Sequence, residues 1–451
     1  MRGFKPVFAV LVVIVFLSCG ADENKNAVPE AVLVPSDFAG MCHSGSSNDL
    51  DREYAMLDEM GVVWVHRDFS WSSIEPGEGN FVFDLFDGYV ERANAESKKI
   101  IGMLLYDVKW VHDLMGHENQ RRIWNDEIPY FTKYAVETVK RYNGINGHGK
   151  VDAWFIWNEP DLTPRFWTGT KDEFFALTKA TVKAIRTLDS EQGTVTTLVG
   201  GVFTAIVSDE WIKGLFESGA MDKVDGIAYH PYSPSPSGSL AFYKRFREKT
   251  MPYGFADKIW INEMGYPTYS EKGSLPAGRY GTDQWEGSMP EIAAKTFALL
   301  AAGGAKNLTW YHLFDGANRD NSDSEDWFGL VWRKSADEWI KKGGYWGYAL
   351  SAMHIPGKTY KEKKFFSAAV PANIKSAYFE GHGSEEGNTL IVWNDSPLRP
   401  AEVTITLNGS NHKLWDIASG ESSDIDKTST HTLYPANTGQ KSLIFLTWTT
   451  Q

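Results

Sequence analysis

At 451 residues, with 42% hydrophobic and 23% charged side chains, the chain is globular and long enough for a large domain with a smaller companion. A formal net charge of -13 and the lack of any block of clustered Lys and Arg exclude nucleic acid as an expected partner, because phosphate binding needs a concentrated basic surface. Of the two cysteines, Cys19 falls in a targeting segment, so Cys42 alone cannot form an internal disulfide and the fold has to rest on its core.

Arg2 and Lys5 precede an apolar stretch at 7–17 that is too short to span a bilayer comfortably and has the shape of a signal peptide. Ser18-Cys19-Gly20 follows directly and resembles a bacterial lipoprotein signal, which makes Cys19 the expected lipidated N-terminus. Phe16 and Leu17 depart from the usual residues before such a cysteine. A plain signal peptide cut near Ala21 and an uncleaved anchor are the alternatives. The expected division is a signal peptide at 1–19, a tether at 20–36, a barrel at 37–356 and a β-sandwich at 357–451.

From residue 37 onward short apolar runs alternate with amphipathic stretches. The runs at 38–43, 62–67, 100–106, 151–157, 194–198, 226–230, 258–261 and 307–313 read as strands. Helical patterns fall at 50–60, 85–95, 127–142, 172–188, 209–218, 239–249 and 290–302, with a last one at 336–353. Eight strand-helix repeats indicate a parallel sheet closed into a (β/α)8 barrel. An open doubly wound sheet is the runner-up, but no Gly-rich phosphate loop follows the first strand. Beyond 357 the segments become short, β-rich and separated by Gly, Asn, Asp and Pro, which predicts an antiparallel β-sandwich. Such a domain could bind sugar, but packing against the barrel is the favoured role. Residues 31–34 are a further candidate strand for it.

Glu159, in Trp157-Asn158-Glu159-Pro160-Asp161, and Glu263, in Trp260-Ile261-Asn262-Glu263-Met264, each end an apolar run. The C-terminal ends of barrel strands form the catalytic face. Two carboxylates brought there from different strands supply what glycoside hydrolysis requires, an acid for the leaving oxygen and a nucleophile or base. A solvated loop glutamate is the bland reading of either one alone; the pair argues against it.

With these residues in place, the chain resembles a clan A glycoside hydrolase over about residues 37–353. The Trp-Asn-Glu-Pro-Asp motif followed by Phe166-Trp167 is most similar to the family of β-xylosidases and α-L-iduronidases, with echoes of cellulase-like families. The resemblance implies Glu159 as general acid/base, Glu263 as nucleophile, and Asn158 as the partner of the sugar 2-OH. It implies Arg67 as the cation that keeps the nucleophile ionised, and His230, beside Tyr232, as a residue orienting the nucleophile or touching the acid. It also implies an aromatic platform under the sugar from the eighth strand, where Trp310 and His312 share a face if alternation holds. At the 5 to 5.5 Å separation of a retaining pair, two ionised carboxyls repel by about 3 kcal/mol at an effective dielectric near 20, so the proton is expected on Glu159.

Trp71, Trp110, Trp124, Trp167, Trp285 and Trp327 are candidates to stack on pyranose faces, or to be core. Cys42 is expected to be structural, with His43 on the opposite face of its strand. The spacing of His and Cys implies no metal, and no cofactor is expected. The acidic stretch 315–326 lacks the Gly and Glu of a calcium loop counted from Asp320 and reads as a mobile, solvated substrate loop. The expectation is an exported, lipid-anchored, retaining glycoside hydrolase of β-linked oligo- or polysaccharides. The competing readings are a non-catalytic saccharide-binding protein on the same barrel, which would most simply lose one glutamate, and a barrel hydrolase of a non-sugar substrate.

Overall fold

The structure, a computed structural model, describes residues 31–450 apart from 44, 46–48, 270–283, 317–318, 320–322, 364, 367–369, 383–386 and 436–439. The expected signal peptide with Cys19, and Asp320, lie outside the described residues, as does the side chain of Trp285.

Eight parallel strands close into a barrel in sequence order: Ala39–Cys42, Trp64–Ser70, Lys99–Leu105, Ala153–Ile156, Thr197–Thr204, Gly226–His230, Ile259–Met264 and Leu308–Trp310. Parallel strands buried on both faces carry apolar residues on both. One set, including Trp64, Met103, Phe155, Val199 and Trp260, fills the barrel, and the other packs under the helices. The longest helix, Lys171–Gln192, starts in a capping box in which the Thr170 side chain and Glu173 satisfy each other's backbone donors, and it stops at Gly193 in the left-handed conformation.

Two elements differ from the sequence reading. The fifth strand, expected at 194–198, runs Thr197–Thr204, because the following residues Val199, Val202 and Phe203 are fully buried. The helix expected at 336–353 is shorter: Trp339–Lys341 pairs antiparallel with Val331–Arg333, and the helix is Gly344–His354. Gly343 and Gly344 break the helical pattern between them.

The second domain is an antiparallel seven-stranded sheet covered by the pair Ala401–Thr406 and Thr428–Leu433. Alternation along Asn388–Asn394 sends Leu390 and Val392 toward that pair, while Ile391 and Trp393 join the core that continues into the barrel. Lys295 of the barrel helix Met289–Ala302 bridges to Asp395 at 3.2 Å. Ala31–Leu33, within the segment expected as tether, pairs antiparallel with Thr359–Lys361 at the edge of this sheet. No helix among the described residues is long and apolar enough to cross a membrane.

Candidate active site

The fourth strand ends at Ile156, and the chain turns sharply over Trp157, Asn158 and Glu159. Trp157 and Glu159 sit at φ 64° and 42°, the left-handed region that non-glycine residues rarely occupy. Each costs about 1–3 kcal/mol and persists only where the surroundings hold it. Here they do. The Trp157 indole is buried between Tyr106 and Trp167 and donates to the Phe166 carbonyl at 2.9 Å. Beyond the turn, Asp161 accepts from the Thr204 N–H at 3.1 Å and from the Thr204 hydroxyl, fastening the loop to the end of the fifth strand.

Glu263 stands on the seventh strand, one residue before its end, and Gly265 follows closely. A Cβ on Gly265 would lie 1.9 Å from the Tyr311 carbonyl oxygen, so only glycine lets the seventh and eighth strands approach here. One oxygen each of Glu159 and Glu263 and a ring nitrogen of His230 all lie within 4.8 Å of one another. His230 Nδ1 is 2.8 Å from Glu159 Oε1 and 3.9 Å from Glu263 Oε2, and its Nε2 is 3.1 Å from Asn262 Oδ1. Tyr232 donates to Glu263 Oε1 at 2.8 Å. This cluster is the one grouping among the described residues that could hold a metal. The 2.8 Å contact is a hydrogen-bond length, shorter than the roughly 3.3 Å that two ligands on a tetrahedral ion with 2.0–2.1 Å bonds would keep.

Burial pushes the Glu263 carboxyl up to about 7, helped by the Glu159 charge and opposed by His230 and Tyr232. Of the two carboxylates, Glu159 accepts the shorter bond from His230. Burial alone would lower His230, but the Glu263 charge and the bond to Glu159 push it up to about 9. Glu263 and His230 therefore titrate as a coupled pair.

Two further expectations need correction. Arg67 does not reach the pair: the second strand continues to Ser70, and alternation from the inward Trp64 turns Arg67 outward, where it stacks 4.7 Å over Tyr89 and 5.6 Å over Phe86. The inward position belongs to Asp68, which the sequence reading missed. Asp68 is open to solvent in the recessed mouth, yet burial by the surrounding protein still pushes it up to about 6, against the pull of Arg67.

Trp310 is fully buried between barrel and helix layer, 5.9 Å from Tyr348 and 6.1 Å from Tyr266, so it is no sugar platform. The strand ends there, alternation ends with it, and His312 does not join Trp310 on one face. Burial pushes the His312 imidazole down to about 4, and its hydrogen bond is to the Glu325 backbone, while the His312 backbone N–H donates to the Phe328 carbonyl. The aromatic of this segment that senses the charges of Glu325 and Glu263 is Tyr311, whose hydroxyl donates to Glu325 at 3.2 Å. Trp71, Trp167 and Trp327 are also buried, while Trp110 and Trp124 are half-buried. Asp315, in the stretch expected to be solvated, is buried 2.6 Å from Lys342.

Asn158 is buried beside Glu159. Cys42 points into the barrel, 3.1 Å from His66 Nδ1, while His43 turns away to Glu53. Burial, then the charges of Glu263 and Asp68, push the thiol well above its ordinary range, and burial pushes His66 down to about 3. A neutral thiol beside a neutral imidazole is no nucleophile.

Comparison with known proteins bears on the fold and on the class of reaction. Residues 118–254, which carry Glu159 and His230, match the family described as Glycosyl hydrolases family 39, and residues 42–102 match the one described as Beta-galactosidase. A β-xylosidase of Caldicellulosiruptor saccharolyticus is 41% identical over 102 residues, 22% of this chain and 19% of that protein. A family 39 glycoside hydrolase from Bacteroides cellulosilyticus superposes with a TM-score of 0.68 at 14% identity, over 92% of this chain and 81% of the other. A monomeric β-xylosidase from Caulobacter crescentus gives 0.60 at 13% identity, over 92% and 96%. The alignments to the curated β-xylosidases span only 19% and 23% of their lengths. The resemblance to clan A glycoside hydrolases thus extends from local sequence to the whole fold, a (β/α)8 barrel with a β-sandwich.

Proposed function

We propose that this chain is a retaining glycoside hydrolase of β-linked oligo- or polysaccharides. The observation that carries the reading is the approach of Glu159 and Glu263 to within 4.8 Å across the mouth, bridged by His230. That spacing suits a retaining pair, at about 5–5.5 Å, and leaves no room for the water an inverting enzyme places between carboxyls about 6.5–9.5 Å apart.

In the first step a Glu263 oxygen attacks the anomeric carbon as the glycosidic C–O bond breaks, and Glu159 gives its proton to the departing oxygen. In the second, water attacks the glycosyl ester, Glu159 takes the water proton, and Glu263 leaves as carboxylate. The Glu159–His230 hydrogen bond keeps that proton at the acid while Glu263 is ionised, and Tyr232 orients the nucleophile. Asn158 is placed beside the acid to meet the sugar 2-OH. The names of the relatives make a β-xyloside the first substrate to try.

Aryl β-glycosides, with p-nitrophenyl β-xyloside first, test the activity, and proton NMR of the first product tests the route. Retention of the anomeric configuration is expected. Initial release of the inverted anomer, or no turnover of any glycoside, would overturn the reading. Export and lipid attachment at Cys19 belong to the same proposal, supported by the apolar run that ends at Ser18-Cys19.

A further inference from the structure

The end of the barrel away from the mouth is built from the turns that lead into the strands. Those before the fourth to eighth strands, at 142–152, 193–196, 218–225, 251–258 and 303–307, lie side by side, because the strands they feed are neighbours. Two of them present apolar side chains on fixed backbone. Ile145 is 61% exposed at the tip of its turn, where its N–H donates to the Asn143 side chain at 3.1 Å. Val195 is 93% exposed between Thr194 and Thr196, whose hydroxyls donate to the Asp189 carboxylate at 2.9 and 2.7 Å. The Asn143 side chain also donates to Gln192 at 2.6 Å, which ties the two turns together. Farther along the arc Met251, Pro252 and Tyr253 are exposed in a row, with the Tyr253 ring stacked 4.2 Å from that of Phe216.

Single exposed apolar residues are ordinary on a protein surface, but these share their arc with unpaired cations and with the N-terminal segment. Within the five turns Asp152, Asp225 and Asp257 pair with Lys150, Arg186 and Arg247. That leaves Asp222 against the exposed Lys223, Lys258 and Lys306, none of which has a carboxylate at ion-pair distance among the described residues. In a chain of net charge -13 these turns are locally cationic. Ala31–Leu33 lies against the last of them: a Cβ on Gly304 would come within 3.8 Å of the Val32 side chain. Leu33 is exposed at the same edge. The chain before Ala31, with Cys19 in it, therefore leaves the protein from this arc.

We propose that this arc is a bilayer-contact surface for an anionic lipid layer. Ile145, Val195, Met251 and Tyr253 enter the boundary between headgroups and acyl chains, and Lys223, Lys258 and Lys306 meet the lipid phosphates. The proposal rests on the reading that the N-terminal segment ties the chain to a membrane. A tether fixes only how far the protein strays from the lipid; a contact surface fixes which side it presents.

The chain from residue 20 onward, with a histidine tag at its N-terminus, is held by a nickel-chelating lipid on vesicles of phosphatidylcholine and phosphatidylglycerol, so that anchoring does not depend on Cys19. Its amide hydrogen exchange is compared with that of the same protein free in solution. Exchange in 143–149, 193–196 and 251–254 is expected to slow at least about three-fold, with the loops around Glu159 and Glu263 unchanged. Ile145→Asp combined with Val195→Asp should remove that protection and leave the unfolding midpoint in place, which separates lost contact from lost fold. Vesicles without phosphatidylglycerol should give weaker protection of the same turns. Equal exchange on and off the vesicles, protection of the mouth instead, or protection that survives the double substitution would overturn the proposal. Detergent partition of the natural chain reads the lipid at Cys19 separately, so failure of the contact surface and failure of the lipoprotein reading are told apart.

Discussion

His230 Nδ1 and Glu159 Oε1 are 2.8 Å apart, and the bond between them carries the same net charge whether its proton sits on the ring or on the carboxyl. In the proposed reaction this bond would store the catalytic proton next to the leaving oxygen. Because Glu263 must be ionised to attack and is held near 7, kcat/KM should rise with pH through about 7. Because His230 is held near 9, the shared proton is lost, and activity with it, as pH climbs through about 9. His230→Gln removes the store. It should lower kcat/KM roughly 10–100-fold and move the alkaline limb to lower pH. A pH–rate profile checks this, and an unmoved alkaline limb would count against the shared proton.

The two glutamates should fail differently. Glu263→Ala should lose nearly all turnover, even with an activated aryl leaving group. Glu159→Ala should retain much of its first step on that substrate, and lose about 10²–10⁴-fold on one whose leaving group needs a proton. Azide should restore both, giving glycosyl azides of opposite anomeric form, which NMR distinguishes. Full activity in Glu263→Ala would remove it from the role of nucleophile.

Trp310 and Tyr311 are adjacent but should answer to different assays. Trp310→Ala empties a packed site between barrel and helices and should cost about 3–5 kcal/mol of stability, read by denaturant unfolding. Tyr311→Ala should leave the unfolding midpoint nearly in place and weaken turnover. Reversal of the two outcomes would restore Trp310 as the sugar-facing aromatic.

These neighbours also mark what could be read from the sequence. The eight strands and both glutamates were legible because each glutamate closes an apolar run and no parity had to be known. Arg67 against Asp68 and Trp310 against Tyr311 are questions of parity. A parallel strand with helices outside and a packed barrel inside is apolar on both faces, so its pattern does not say which residue looks inward. Parity at Arg67 is set by Trp64 facing the barrel interior, a tertiary fact. His230 was legible as a strand-end residue. Its choice of Glu159 over Glu263 as the nearer partner depends on the left-handed turn at Glu159, which no glycine at that position announces.

If Cys19 carries lipid, Cys19→Ala should shift the protein from the detergent phase to the aqueous phase of a detergent partition. Equal partitioning of the two forms would end the lipoprotein reading.

The pairing of Ala31–Leu33 with Thr359–Lys361 decides how such an anchor would present the enzyme. Ala39, where the first barrel strand begins, follows Leu33 by only a few residues, so this edge strand lies toward the end of the barrel away from Glu159 and Glu263. Eleven residues, 20–30, separate Cys19 from Ala31, a leash of at most about 40 Å when fully extended. A protein moored there would turn its back to the bilayer and its mouth to the medium, within reach of polymers too large to approach the membrane itself.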